Sequence, residues 1–224
     1  MIRTWSVVGL AVVTGVLQVG ATTAAPGRFP AAVQERLGEV WAVSGERCLA
    51  TCLTAELVLT AAHCLQDRRA RPLPAHTLSF RTVAGESVAV RVVQRHPEFS
   101  AQQASLEAIG VDLALLRLVR PLAEPMPAPL TIGTGVSVGE TLLIPRRGRS
   151  QPSRCRVIDQ VGFVFTLDCP IAPGDSGAAV LRAGAGAVPE LVGVISAFET
   201  DGAAHTAIAT EFDSMFLSLI ESCR

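Results

Sequence analysis

The sequence predicts an all-β protein built in two strand-rich halves and finished by a C-terminal helix. Three observations carry that expectation: a series of short apolar or alternating runs, a proline-rich stretch that divides the series, and a helical period that is clearest near the end. The runs before the divide are "ERLGEVWAV", "ELVLTAA", "ESVAVRVVQ" and "VDLALLRLV"; those after it are "ETLLIP", "VGFVFTL", "ELVGVISAF" and "HTAIAT". Gly, Pro and polar breaks separate them, the pattern of a sandwich or barrel. Between Pro121 and Pro129, "PLAEPMPAP" holds four prolines and cannot form a regular helix or a central strand. Residues 26–120 are therefore expected as one β-domain, 121–130 as a connection and 131–224 as a second β-domain. In "TEFDSMFLSLIESC", Phe212, Met215, Phe216, Leu219 and Ile220 share one helical face, with Cys223 seven residues after Phe216. Thr210 with Asp213 resembles a capping box at the start of that helix, which is expected to dock on a barrel.

Bulk properties set the setting. The 224 residues carry 19 basic and 20 acidic groups, a formal net charge of -1, so nothing points to nucleic acid or an anionic membrane. Every basic residue is arginine, and no repeat or low-complexity tract is evident. The first 25 residues have the three parts of a secretory signal: Arg3, an apolar run from Trp5 to Leu17, and small residues from Gly20 to Ala25. The run is shorter than the roughly 20 residues that span a bilayer, which favours cleavage over a retained anchor. The expected location is secreted or periplasmic, with no membrane attachment after cleavage. Export in turn favours disulfides among Cys48, Cys52, Cys64, Cys155, Cys169 and Cys223. The rival is zinc held by Cys48, Cys52, His63 and Cys64, whose spacing does not follow the common paired-ligand patterns.

The chemistry-bearing stretch is "IAPGDSGAAV", residues 171–180. Gly-Asp-Ser-Gly is first a tight turn, and could be nothing more. A turn that exposes Ser176 Oγ would need a base, because a serine hydroxyl is a weak nucleophile alone. "LVLTAAHC" places His63 just past one predicted strand, and "VDLALLRLV" places Asp112 at the mouth of another. Histidine can take the serine proton and return it to a leaving amine, while a buried carboxylate fixes the imidazole tautomer. The alternative for His63 is a core histidine at a strand end. His76, His96 and His205 sit in loop-like or strand-edge contexts without evident partners, and Asp168 fits the end of a hairpin better than the orienting role.

"LTAAHC", "DLALLRL" and "GDSG", in this order, resemble the chymotrypsin- or trypsin-like serine protease family over roughly residues 33–224. "LDCPIAPGDSG" is more similar to bacterial exported trypsin-like and glutamyl-endopeptidase-like enzymes than to digestive trypsins. The resemblance implies two antiparallel Greek-key β-barrels with the site in the cleft between them. It implies a triad of His63, Asp112 and Ser176, with the Gly174 and Ser176 N–H groups as the oxyanion hole. It also implies a Cys48–Cys64 disulfide, and Cys155 and Cys169 flank a hairpin just ahead of the serine turn; this leaves Cys52–Cys223 as the expected third pair. Asp175 resembles the family's aspartate that pairs with a freed N-terminus, although no "IVGG"-like start precedes it. Other departures are Ala178 and Ala179 in place of Gly-Pro, and Pro170 where trypsins carry the carboxylate for basic selectivity. Ile195 stands where glutamate-selective relatives carry histidine. Pro170, Ile171, Ser196, Phe198 and Ala207 are expected to form a shallow pocket for small or apolar side chains. The expectation is an endopeptidase acting on peptide or protein substrates as a monomer, without cofactor or metal. The rivals are a secreted pseudoprotease that only binds, its pocket filled by Phe198, and an esterase or acyltransferase using the same residues.

Overall fold

Buried Val40 and Ala42 alternate with half-exposed Glu39 and Trp41 along β1 (Leu37–Ala42), the period of a strand with one face in a core. The same logic runs through β2 (Arg47–Cys52), β3 (Leu57–Thr60), β4 (Leu78–Thr82), β5 (Ser87–Arg95) and β6 (Ala114–Leu118). In this computed structural model these strands close a six-stranded antiparallel barrel in the order β1-β2-β3-β6-β5-β4. The jump from β3 to β6 is a Greek-key connection. Val40, Phe80, Val90 and Leu116 fill its interior. The structure describes residues 31–100, 105–123, 126–127, 129–183, 189–201 and 204–223. The expected signal, residues 1–25, lies outside the described residues, as does part of the proline-rich connection.

The second half holds β7 (Thr131–Ile132), β8 (Thr141–Ile144), β9 (Ser153–Val161), β10 (Val164–Leu167), β11 (Ala179–Arg182), β12 (Glu190–Asp201) and β13 (Ala204–Glu211). Six of them form a closed antiparallel barrel, β11-β8-β9-β10-β13-β12, sealed by the β11–β12 pairing, and β7 adds in parallel beside β12. Leu142, Val157, Phe165 and Val192 fill this barrel. A third apolar cluster joins Leu57, Leu59 and Leu115 of the first barrel to Leu181 and Leu191 of the second.

Short helices α1 (Ala31–Gln34) and α2 (Leu106–Gly110) precede the one longer helix, α3 (Ser214–Cys223). Phe216, Ile220 and Cys223 of α3 are buried and extend the inter-barrel cluster. Met215, expected on the same face, is 40 % exposed instead. The expected capping box is also replaced. Thr210 lies within β13 and donates to the Ile109 carbonyl, whereas Asp213 caps the helix by accepting the Phe216 N–H at 2.7 Å.

Two disulfides form, Cys48–Cys64 with Cα atoms 6.0 Å apart and Cys155–Cys169 at 5.3 Å. The expected Cys52–Cys223 bridge does not: both are buried free thiols. Cys52 belongs to the first barrel's interior, while Cys223 belongs to the inter-barrel cluster and lies 2.8 Å from Gln94 Oε1. The two side chains are committed to different cores. Cys48, His63 and Cys64 do converge, but their sulfurs are bonded to each other, which removes the thiolates a zinc site needs. Among the described residues, no helix is long and apolar enough to cross a membrane.

Candidate active site

His63 sits in a single 3-10 turn, Ala62–Leu65, directly after β3, and the Cys48–Cys64 disulfide ties that turn to β2. Asp112 follows α2 and precedes β6. Its N–H donates to the Ile109 carbonyl at 3.1 Å, and its own carbonyl accepts the Ala62 N–H at 3.3 Å, so the two segments are stitched together through the backbone. Both residues therefore leave the same edge of the first barrel, where β3 and β6 are hydrogen-bonded neighbours.

The Asp112 carboxylate is 4 % exposed and collects three donors. His63 Nδ1 lies 2.6 Å from Oδ2, the His63 backbone N–H donates to Oδ1 at 2.7 Å, and Ser196 Oγ donates to Oδ2. Nδ1 must carry the proton in that contact, which leaves Nε2 as the ring's acceptor. Burial works against an imidazolium here, but the hydrogen bond to Asp112 and its charge outweigh it, holding the His63 pKa above the usual histidine range. Ser196, expected only as a pocket residue, thus also orients the carboxylate. A register shift in β12 between Ile195 and Ala197 turns Ser196 toward Asp112.

The second barrel brings Ser176 to this edge. Its carbonyl accepts the Leu49 N–H of β2 at 2.8 Å, a direct tie between the barrels at the candidate nucleophile. The flanking glycines are required by geometry. Gly177 has φ +80°, and a Cβ there would sit 2.1 Å from the Leu49 carbonyl oxygen and 2.3 Å from Thr60 Oγ1. Gly174 has φ +95°, and its missing Cβ leaves room for the Arg147 guanidinium. Among the described residues, neither the Gly174 nor the Ser176 N–H has a hydrogen-bond acceptor, and no hydrogen bond joins Ser176 Oγ to His63. A nucleophile–base contact of this type commonly tightens only when substrate is bound.

Asp175 anchors the turn from behind and is 2 % exposed. Arg146 Nε donates to it at 2.6 Å, the Arg147 N–H at 2.9 Å and the Ala172 N–H at 2.8 Å. Arg146 thus supplies the positive charge for which the resemblance would have required a freed N-terminus. No sequence signal marks this, because Arg146 and Arg147 lie in a loop after β8 with no motif around them. Ala178 and Ala179, the departures from Gly-Pro, are buried, and the Ala178 N–H closes the turn onto the Asp175 carbonyl at 3.1 Å.

A cleft of about 560 Å³ opens beside His63 and Asp112, lined by Ser196, Phe198, Leu106, Ile109 and Ile208 among others. Of the five expected pocket residues, Ser196 and Phe198 line it and the other three do not. Ile171 and Ala207 are buried in the second barrel's core, and Pro170 is exposed with its carbonyl held by Arg146. Phe198 is 41 % exposed, so it flanks the cleft without plugging it. Asp168 accepts the Arg156 N–H at 2.6 Å, the hairpin role expected for it. His96, expected without a partner, instead lies 3.0 Å from Asp213 Oδ2 with its side chain wholly buried.

A family model described as Trypsin-like peptidase domain matches residues 41–194, more than half of the chain. No curated protein matches the chain.

Proposed function

The chain belongs to the trypsin-like peptidase domain family, whose members are serine proteases acting on peptide or protein substrates, and from that premise we propose that it is an exported endopeptidase using His63, Asp112 and Ser176. The observation that carries the proposal is the buried Asp112 carboxylate holding His63 Nδ1 at 2.6 Å, with Nε2 left as an acceptor. Ser176 Oγ attacks the scissile carbonyl carbon while its proton passes to His63 Nε2. The Gly174 and Ser176 N–H groups, unpaired among the described residues, hold the resulting oxyanion. The C–N bond then breaks, His63 gives its proton to the leaving amine, and an acyl-Ser176 remains. Water attacks that ester with His63 again as base, releasing the acid and restoring the serine. Asp112 keeps the ring oriented and stabilises the imidazolium in both halves of the cycle. The apolar walls from Leu106, Ile109, Phe198 and Ile208 favour small or apolar side chains on the acyl side.

A fluorophosphonate probe tests this directly. Wild type is expected to label at Ser176, Ser176→Ala not at all, and His63→Ala more slowly by on the order of a thousandfold. A folded wild type that stays unlabelled would overturn the proposal in favour of a binding domain.

A further inference from the structure

Two clefts neighbour the candidate site. One is the apolar cleft beside His63. The other, of about 600 Å³, lies between β1 and the loop of residues 145–150, and it is unlike the first in chemistry. It touches the serine turn at two points. Leu49, in its lining, donates its N–H to the Ser176 carbonyl at 2.8 Å, and the Arg147 guanidinium occupies the space where a Gly174 Cβ would be, 2.9 Å from Nη1. On the endopeptidase reading, a peptide whose acyl half follows Ser196 and Phe198 would run its leaving half toward this second cleft.

The charge of that cleft is lopsided. Arg81, Arg146, Arg147 and Arg149 line it against the single carboxylate of Glu39. Arg146 is engaged by Asp175, Ser153 and the Pro170 carbonyl. Arg147 uses only Nε, on Glu39 at 2.8 Å, and its two Nη groups have no hydrogen-bond partner among the described residues. The Arg149 side chain has no hydrogen bond or ion pair there either. Arg81 is placed by Trp41, with its guanidinium carbon 5.5 Å from the ring centroid. Planar guanidinium groups with free N–H donors beside an aromatic face are suited to a carboxylate, which they bind with two parallel hydrogen bonds.

We propose that the cleft lined by Trp41, Arg147 and Arg149 is a leaving-group-side subsite that takes a substrate carboxylate, on an acidic side chain or at a chain terminus. This rests on the serine endopeptidase reading, and its test is arranged to fail separately. Full-length protein carrying Ser176→Ala and Trp5→Phe, so that Trp41 is the single tryptophan reporter, is titrated with three short acetylated peptides. They are a glutamate peptide amide, its glutamine counterpart, and the glutamine peptide with a free C-terminal carboxylate. The glutamate amide is expected to bind about tenfold more tightly than the glutamine amide. If the free acid alone gains, the carboxylate recognised is the terminus. Arg149→Gln, which removes no internal contact, is expected to shrink the gain, and Arg147→Gln with Arg149→Gln to abolish it. Equal binding of all three peptides would overturn the subsite. Fluorophosphonate labelling of wild type decides the hydrolytic reading independently: labelling with equal binding removes the subsite alone, and selective binding without labelling leaves a carboxylate-binding cleft in a protein that does not cleave.

Discussion

A carboxylate that is 4 % exposed and accepts three donors holds its neighbours as firmly as they hold it, and at Asp112 one neighbour is an imidazole whose pKa the contact raises. Because the folded pKa of His63 is raised, the pair contributes stability below the unfolded histidine value of about 6.5, and loses it as pH rises through the folded value. Asp112→Asn is therefore expected to lower Tm more at about pH 5.5 than at about pH 9. Activity has the opposite dependence, since the base must be neutral. The acid limb of kcat/KM should be centred above about 6.5, and Asp112→Asn should lower kcat by on the order of ten-thousandfold. An acid limb at or below the ordinary histidine value would remove the proposed pairing. At this scale the sequence was informative where chemistry restricts residue type. His63, Asp112 and Ser176 were visible because few other residues can do the work proposed for them, and the glycines at 174 and 177 because few others fit a positive φ. Arg146 and the orienting role of Ser196 were invisible, since one depends on a loop folding back and the other on a one-residue bulge.

Elements were legible in proportion to the regularity of their pattern. The long alternating run of β5 and the apolar run of β6 announced themselves, whereas β2 and β4 mix polar residues into their runs. Helix α3 was recognisable from Phe216, Ile220 and Cys223, yet its start was misplaced because β13 continues to Glu211 and leaves Asp213 as the cap. That residue also meets buried His96 of the first half, whose Nδ1 accepts the Glu98 N–H at 3.2 Å, so Nε2 carries the proton toward Asp213. Asp213 joins two jobs: it caps α3 and it holds the segment whose His96 N–H donates to the Leu113 carbonyl, next to Asp112. Asp213→Ala should cost about 2–3 kcal/mol in urea denaturation, the loss of a cap plus a buried histidine left without its partner. Asp213→Asn retains an acceptor for the Phe216 N–H and should cost about 1 kcal/mol less. Equal losses would mean that the cap contributes nothing and that the carboxylate's contact with His96 carries the whole effect.

For the molecule as a whole, two barrels each fill their own interior and then share a third core with α3. The sequence indicated two halves through its prolines but could not say how they meet, because the shared cluster draws on strands scattered across both. The same limitation produced the error over the cysteines. An even count in a chain expected to be exported suggests complete pairing, but pairing requires that both sulfurs face one space, and Cys52 and Cys223 face different cores. Burial also pushes the Cys52 thiol up to about 12, with Arg36 nearby only partly opposing it. Such a thiol carries almost no thiolate at neutral pH and is inert to thiol reagents. Two thiols per chain, Cys52 and Cys223, should therefore react with Ellman's reagent after denaturation without reductant, and Cys52 should not react in the native state. The two observed disulfides close loops of similar length, 16 and 14 residues apart in sequence, each able to contribute about 3 kcal/mol. Finding no titratable thiol would mean that a third bridge forms, which would require the end of α3 to leave the inter-barrel core and the last turn to be rebuilt against the first barrel.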